Sequence, residues 1–87
     1  MFTSKDIRLC SDSYFTILRM CLENDYIELK SKNTLHCWII KKMTTRTLLY
    51  HKHSEHDAYY HKHRLVYSVS QAIKEIKSHD TYVLENK

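Results

Sequence analysis

The chain contains no glycine and no proline. Turns that need positive φ must then use Asn or Asp, the residues that best tolerate that region after glycine. Asn24-Asp25, Asn33 and Asp57 are the positions for it. With no proline and no Gly-Ser tract there is no linker composition either, so residues 1–87 read as a single domain. The three cysteines, Cys10, Cys21 and Cys37, include no Cys-x-x-Cys pair. An odd set of thiols without a leader-like segment fits a reducing cytoplasmic setting, with all three buried and inert. No stretch approaches the roughly 20 apolar residues of a membrane span, so no membrane partner is expected.

What is present is enough to fold. Hydrophobic residues make up 43% of the chain and there are seven tyrosines, which is not the low-hydrophobicity composition of a disordered segment. A chain of 87 residues buries a smaller share of its surface than a larger domain does, which limits it to one core and modest stability. The formal charge is +4, and it is unevenly placed: residues 41–64 hold six basic and two acidic groups, whereas basic and acidic groups balance on either side. A local excess of positive charge is the footprint of a surface that meets phosphate.

That basic segment contains a repeat. Tyr-His-Lys-His stands at Tyr50–His53 and again at Tyr60–His63, joined by Ser54-Glu55-His56-Asp57-Ala58. A strand places residues i and i+2 on one face, so a hairpin pairing odd with odd residues gathers His51, His53, His61 and His63 on one side. Tyr50, Lys52, Tyr60 and Lys62 then share the other. A slip of one residue would scatter both sets.

Around this hairpin the pattern predicts an α+β fold. Ser11-Asp12-Ser13 offers caps for a helix over 14–23, with Phe15, Leu18, Cys21 and Leu22 at the helical period; residues 3–9 are long enough only for a short turn. Alternation over 26–32 points Ile27 and Leu29 inward, and Asn33-Thr34 supplies a turn. Residues 35–41 read as a central strand covered on both faces, with Trp38 in the core. Strands over 47–53 and 59–66 follow. Ser68 and Gln71 form a capping box for a second helix with Val69, Ala72, Ile73 and Ile76 on its buried stripe, ending near His79-Asp80. Residues 81–84 are a short strand or a packed tail. The predicted order is α-β-β-β-β-α: an antiparallel meander of three to four strands flanked by an N-terminal and a C-terminal helix.

The leading functional expectation is a small basic accessory protein of the phage or mobile-element kind that binds nucleic acid through the hairpin 46–64 and its approach. Lys41, Lys42, Arg46, Lys52, Lys62 and Arg64 would neutralise phosphates, and Tyr50, Tyr59 and Tyr60 would stack on unpaired bases. The plain alternative is that exposed strands need polar side chains and that edge strands carry lysine to block pairing. An inhibitor or modulator of a host protein is a second class, in which the histidines would act as a charge switch as pH falls. A metal-binding protein is a third: zinc accepts three or four imidazoles, and His51, His53, His61 and His63 are the ligands a hairpin would provide, with Glu55, His56 and Asp57 in reach. An open sheet edge would also allow a homodimer.

His36 is the one candidate for catalysis, and only if the chain is an enzyme. In element order, a helix, three strands and a helix with a histidine opening the second strand, residues 14–78 resemble HicA-type mRNA interferase toxins. That resemblance implies a ribonuclease acting through His36. The family sets its histidine in a Gly-Ser-His context, and this chain has Thr34-Leu35-His36 there.

Overall fold

Thr3 starts the first element. Its hydroxyl accepts the Asp6 amide at 3.1 Å while the Asp6 carboxylate accepts the Thr3 amide at 3.0 Å, a reciprocal cap that satisfies two otherwise free donors. The residues expected to form only a turn are therefore a helix, α1 (Ser4–Cys10). In this computed structural model, which describes residues 1–86, five strands follow: β1 (Phe15–Cys21), β2 (Tyr26–Ser31), β3 (Cys37–Lys42), β4 (Thr47–Lys52) and β5 (His61–Val66). A long helix, α2 (Val69–Glu85), closes the chain. The strands form one antiparallel meander in chain order, β1 to β5. The fold is the expected α+β arrangement of a meander between two helices, with one strand more.

The additional strand replaces the helix expected over 14–23. Asp12 begins it: its Oδ1 accepts the Tyr14 amide at 2.8 Å and its carbonyl accepts the Phe15 amide at 3.0 Å, a turn that feeds an extended chain. The register of β1 against β2 then shifts between Ile17 and Arg19. This bulge aligns Phe15, Ile17 and Met20 opposite Ser31, Leu29 and Ile27, although of the three only Phe15 is buried on this edge strand. A spacing of two followed by three imitates a helical period, and pairing with β2 decides the conformation.

The core lies between one face of the sheet and the helices. It contains Phe15, Ile27, Leu29, Trp38, Ile40 and Leu49 from the strands and Val69, Ala72, Ile73 and Ile76 from α2. Trp38 is fully buried, and its indole N–H donates to Ser31 Oγ at 3.1 Å. Only this face of β3 is covered by helices; Ile39 and Lys41, on the other, are half-exposed. Cys10 and Cys37 are buried and Cys21 is half-buried on the edge strand, so two of the three thiols sit as expected and one does not. Burial and nearby Asp6 push the Cys10 thiol up to about 12, well out of the reactive range.

Helix α2 runs past its expected end near Asp80. Ser68 accepts the Gln71 amide at 3.1 Å, and Gln71 reaches back to the Tyr67 amide, one residue earlier than a capping box requires. Residues 81–84, read as strand or tail, are its last turns. The reason lies in Asp80, which is fully buried and accepts the Tyr14 hydroxyl at 2.6 Å and the Thr34 hydroxyl at 2.9 Å. A buried carboxylate with two charge-assisted bonds ties the C-terminal half of α2 to the start of β1 and to the β2–β3 turn. Among the described residues no helix is long and apolar enough to cross a membrane.

Candidate functional site

The β4–β5 pairing sets His51 opposite His61, so the odd-with-odd register holds at the repeat. A bulge follows, with Tyr50 opposite Lys62 and Leu49 opposite Arg64, which leaves His63 as the extra residue. Ring centroids of His51 lie 5.0 Å from His53, 5.1 Å from His61 and 5.6 Å from His63. The four repeat histidines converge, and they do so on the side of the sheet that α2 covers.

Two more join them. Helix α2 places His79 at 4.7 Å from His51 and 5.3 Å from His63, centroid to centroid. The β2–β3 turn places His36 at 5.0 Å from His51. Leu35 turns that loop at φ 65°, a left-handed conformation that costs a residue with a Cβ about 1–2 kcal/mol. In a chain without glycine, this strained turn is what delivers His36. Asp25 takes the other positive φ, as its type suggested, whereas Leu35 stands where Asn33 was expected.

Sequence reasoning did not assign His79 to the site. The signal was present: His79 and Asp80 continue the stripe Val69, Ala72, Ile73, Ile76 at spacings of three and four, which places them on the covered face.

The cluster is bound together through His51. This ring is 2% exposed and lies against Trp38 with centroids 4.3 Å apart. Its Nε2 is 2.9 Å from His36 Nδ1, and its Nδ1 is 3.4 Å from His61 Nε2. Two triads can each bring one ligand nitrogen per residue within 4.8 Å of the others: His36, His51 and His79, and His51, His61 and His63. His79 Nδ1 is buried with no hydrogen-bond partner, a rare and costly state for a polar atom.

Desolvation, with neighbouring imidazoles, lowers the pKa of His51 to about 3. Burial is also the main cause that holds His36, His63 and His79 below the ordinary histidine value. These four side chains are thereby kept in the neutral form that ligates metal. They add correspondingly less to any gain of charge in mild acid, which narrows the expected switch. Two of the three loop residues offered as extra ligands are engaged elsewhere. Glu55 pairs with Lys30 and Asp57 Oδ2 accepts the His53 amide at 3.0 Å, while His56 is exposed.

The residues expected to contact nucleic acid divide between surfaces. Lys42 points to the helix side, where it pairs with Asp6 at 2.7 Å, and Arg64 pairs with Glu75 at 2.9 Å. Lys41, Tyr50 and Tyr60 line a hollow of about 470 Å³ on the outer face with Arg19, Tyr26 and Glu28. Lys52 lies over the Tyr60 ring, 4.7 Å from its centroid. The Tyr60 hydroxyl donates to Glu28 at 2.6 Å, and burial with that bond pushes its pKa up. Lys62 is exposed on β5, Arg46 is exposed at the β3–β4 turn, and Tyr59 is exposed in the loop before β5.

No known protein family, curated protein or solved structure matches this chain. The element order that carried the resemblance to interferase toxins is not that of the structure, since residues 15–21 form a strand and His36 precedes β3 in a turn.

Proposed function

We propose that this protein binds a divalent transition-metal ion of the zinc class through the imidazoles gathered between α2 and the sheet. The observation that carries this is convergence. Five of the other six histidines, from the β2–β3 turn, the end of β4, β5 and α2, surround His51. Ligand nitrogens on a tetrahedral zinc, at about 2.0–2.1 Å from the metal, stand about 3.3 Å apart. The 3.4 Å between His51 and His61 matches that spacing, and the 2.9 Å between His36 and His51 needs only a small opening. The unpartnered His79 nitrogen supports the same reading, because coordination would satisfy it. A packed imidazole core without metal is the alternative, and it leaves that atom unexplained.

Elemental analysis of untagged protein, purified without a metal column, tests the proposal. At least one zinc-class ion per chain is expected. Sub-stoichiometric metal together with no Zn²⁺ uptake in a titration would overturn it.

The uncovered outer face favours a second reading, contact with single-stranded nucleic acid. Arg19, Lys41 and Lys52 surround Tyr26, Tyr50 and Tyr60 there, with no element packed over them among the described residues, and base stacking on an aromatic side chain is worth about 1–3 kcal/mol. Binding that weakens steeply with salt would support it. Affinity for a single-stranded oligonucleotide that does not change with salt would exclude it.

A further inference from the structure

We infer that His51 is a bridging ligand that holds two divalent ions of the zinc or copper class, one on each ring nitrogen. The inference rests on the metal-binding reading above and goes beyond it in number and arrangement. His51 is the one residue common to the two triads. It meets them through different atoms, Nε2 toward His36 and Nδ1 toward His61. The two nitrogen lone pairs of an imidazole diverge in the plane of the ring, so a single ion cannot take both. Ligands gathered at each nitrogen therefore describe two positions.

The ring is not free to choose one. It is 2% exposed and packs against Trp38, 4.3 Å away, and His79, 4.7 Å away, centroid to centroid, two rings that are themselves 5.1 Å apart, so close packing holds its orientation. On the Nε2 side the ion would have His36, His51 and His79. On the Nδ1 side it would have His51, His61 and His63, where Glu75 also approaches His63 Nε2 at 3.8 Å. Exposed His53, 5.2 Å from His36 and 6.4 Å from His61, borders both. Three protein ligands with a fourth position left over is the pattern of reactive zinc sites, as distinct from closed structural ones.

The coordination step balances simply. Neutral His51 carries one N–H and one lone pair. The first ion takes the lone pair; the second takes the pair freed when the N–H proton leaves to solvent. The bridge is then an imidazolate, and no electron changes hands.

Stoichiometry and coupling test this. Metal-free protein is titrated with Zn²⁺ and, in a parallel series, with Cu²⁺ followed by electron paramagnetic resonance. Two equivalents of each ion are expected, with the Cu²⁺ signal rising to one equivalent and falling toward the second as the bridged pair couples magnetically. The His61→Ala/His63→Ala variant, altered on the more exposed side, should bind one equivalent and keep a full uncoupled signal. Saturation at one equivalent, or two equivalents whose signals simply add, would overturn the bridge while leaving a metal site in place. No uptake of either ion would overturn the metal-binding reading itself.

Discussion

The two faces of the sheet are built from alternate residues of the same strands and do opposite things. On the helix side, Trp38, Leu49 and His51 are sealed against α2, and even the imidazole of His51 loses most of its water. On the outer side, Tyr50, Lys52 and Ile39 remain half-exposed around an open hollow. Side-chain polarity alone does not account for this, because histidine is as polar as tyrosine. Position beside α2 decides it. One face has its geometry set by packing and has little freedom to adapt; the other is held only by scattered bonds such as Tyr60 to Glu28.

The sharpest test of that contrast is to truncate one aromatic on each face. Trp38→Ala should cost about 3–5 kcal/mol, the usual penalty for deleting a large buried ring, whereas Tyr50→Ala should cost about 1 kcal/mol or less. Urea denaturation followed by circular dichroism measures both. Equal losses would mean that the outer face is also packed.

Metal should stabilise only the inner face. With free Zn²⁺ at one hundred times its Kd, the expected gain is about 2.7 kcal/mol. In a domain of this size that raises Tm by roughly 10 °C or more. The shift should vanish in His51→Ala and survive in Lys41→Glu. A thermal melt with and without Zn²⁺ reads both.

Acid should weaken the metal-free protein through the same residues. His51 has a folded pKa of about 3, below the unfolded value of about 6.5. The unfolded chain therefore takes up the proton first. Stability is complete above pH 6.5 and falls as pH drops toward 3, by an amount on the order of a few kcal/mol. Denaturation midpoints at pH 7.5 and 5 should differ in that direction, and less so in His51→Leu.

Asp80→Asn should loosen the attachment of α2 by about 1–3 kcal/mol, since Tyr14 and Thr34 donate to different carboxylate oxygens and the amide puts an NH2 donor in place of one of them. Its second readout is Zn²⁺ affinity, which should fall with the displacement of His79. The smallest stability effect belongs to the open face. Lys52→Glu should change folding by no more than about 0.5 kcal/mol, while reducing the salt dependence of any oligonucleotide binding by about one phosphate contact.

Much of this was legible beforehand. The period of two over Tyr26–Ser31 and the identity of Trp38 as core are direct consequences of strand geometry and size. The segment 15–21 was misread as helix because a bulge at Leu18 breaks its alternation, and a bulge is stabilised by the neighbouring strand, which local pattern does not contain. Phosphate-contact candidates were chosen by charge, yet Lys42 and Arg64 have carboxylate partners on α1 and α2, 36 and 11 residues away in the chain.

By itself, the sequence determined that the two histidines within each copy of the repeat share one side and the tyrosine and lysine the other, because strand parity is a property of the backbone; that the copies pair odd with odd is a matter of register. Which side would be covered, and that His36 and His79 would complete the group around His51, was decided only by the tertiary structure. Parity relates two faces to each other, but desolvation depends on where a helix docks, and α2 docks through an apolar stripe and a buried Asp80 whose partners are 46 and 66 residues away.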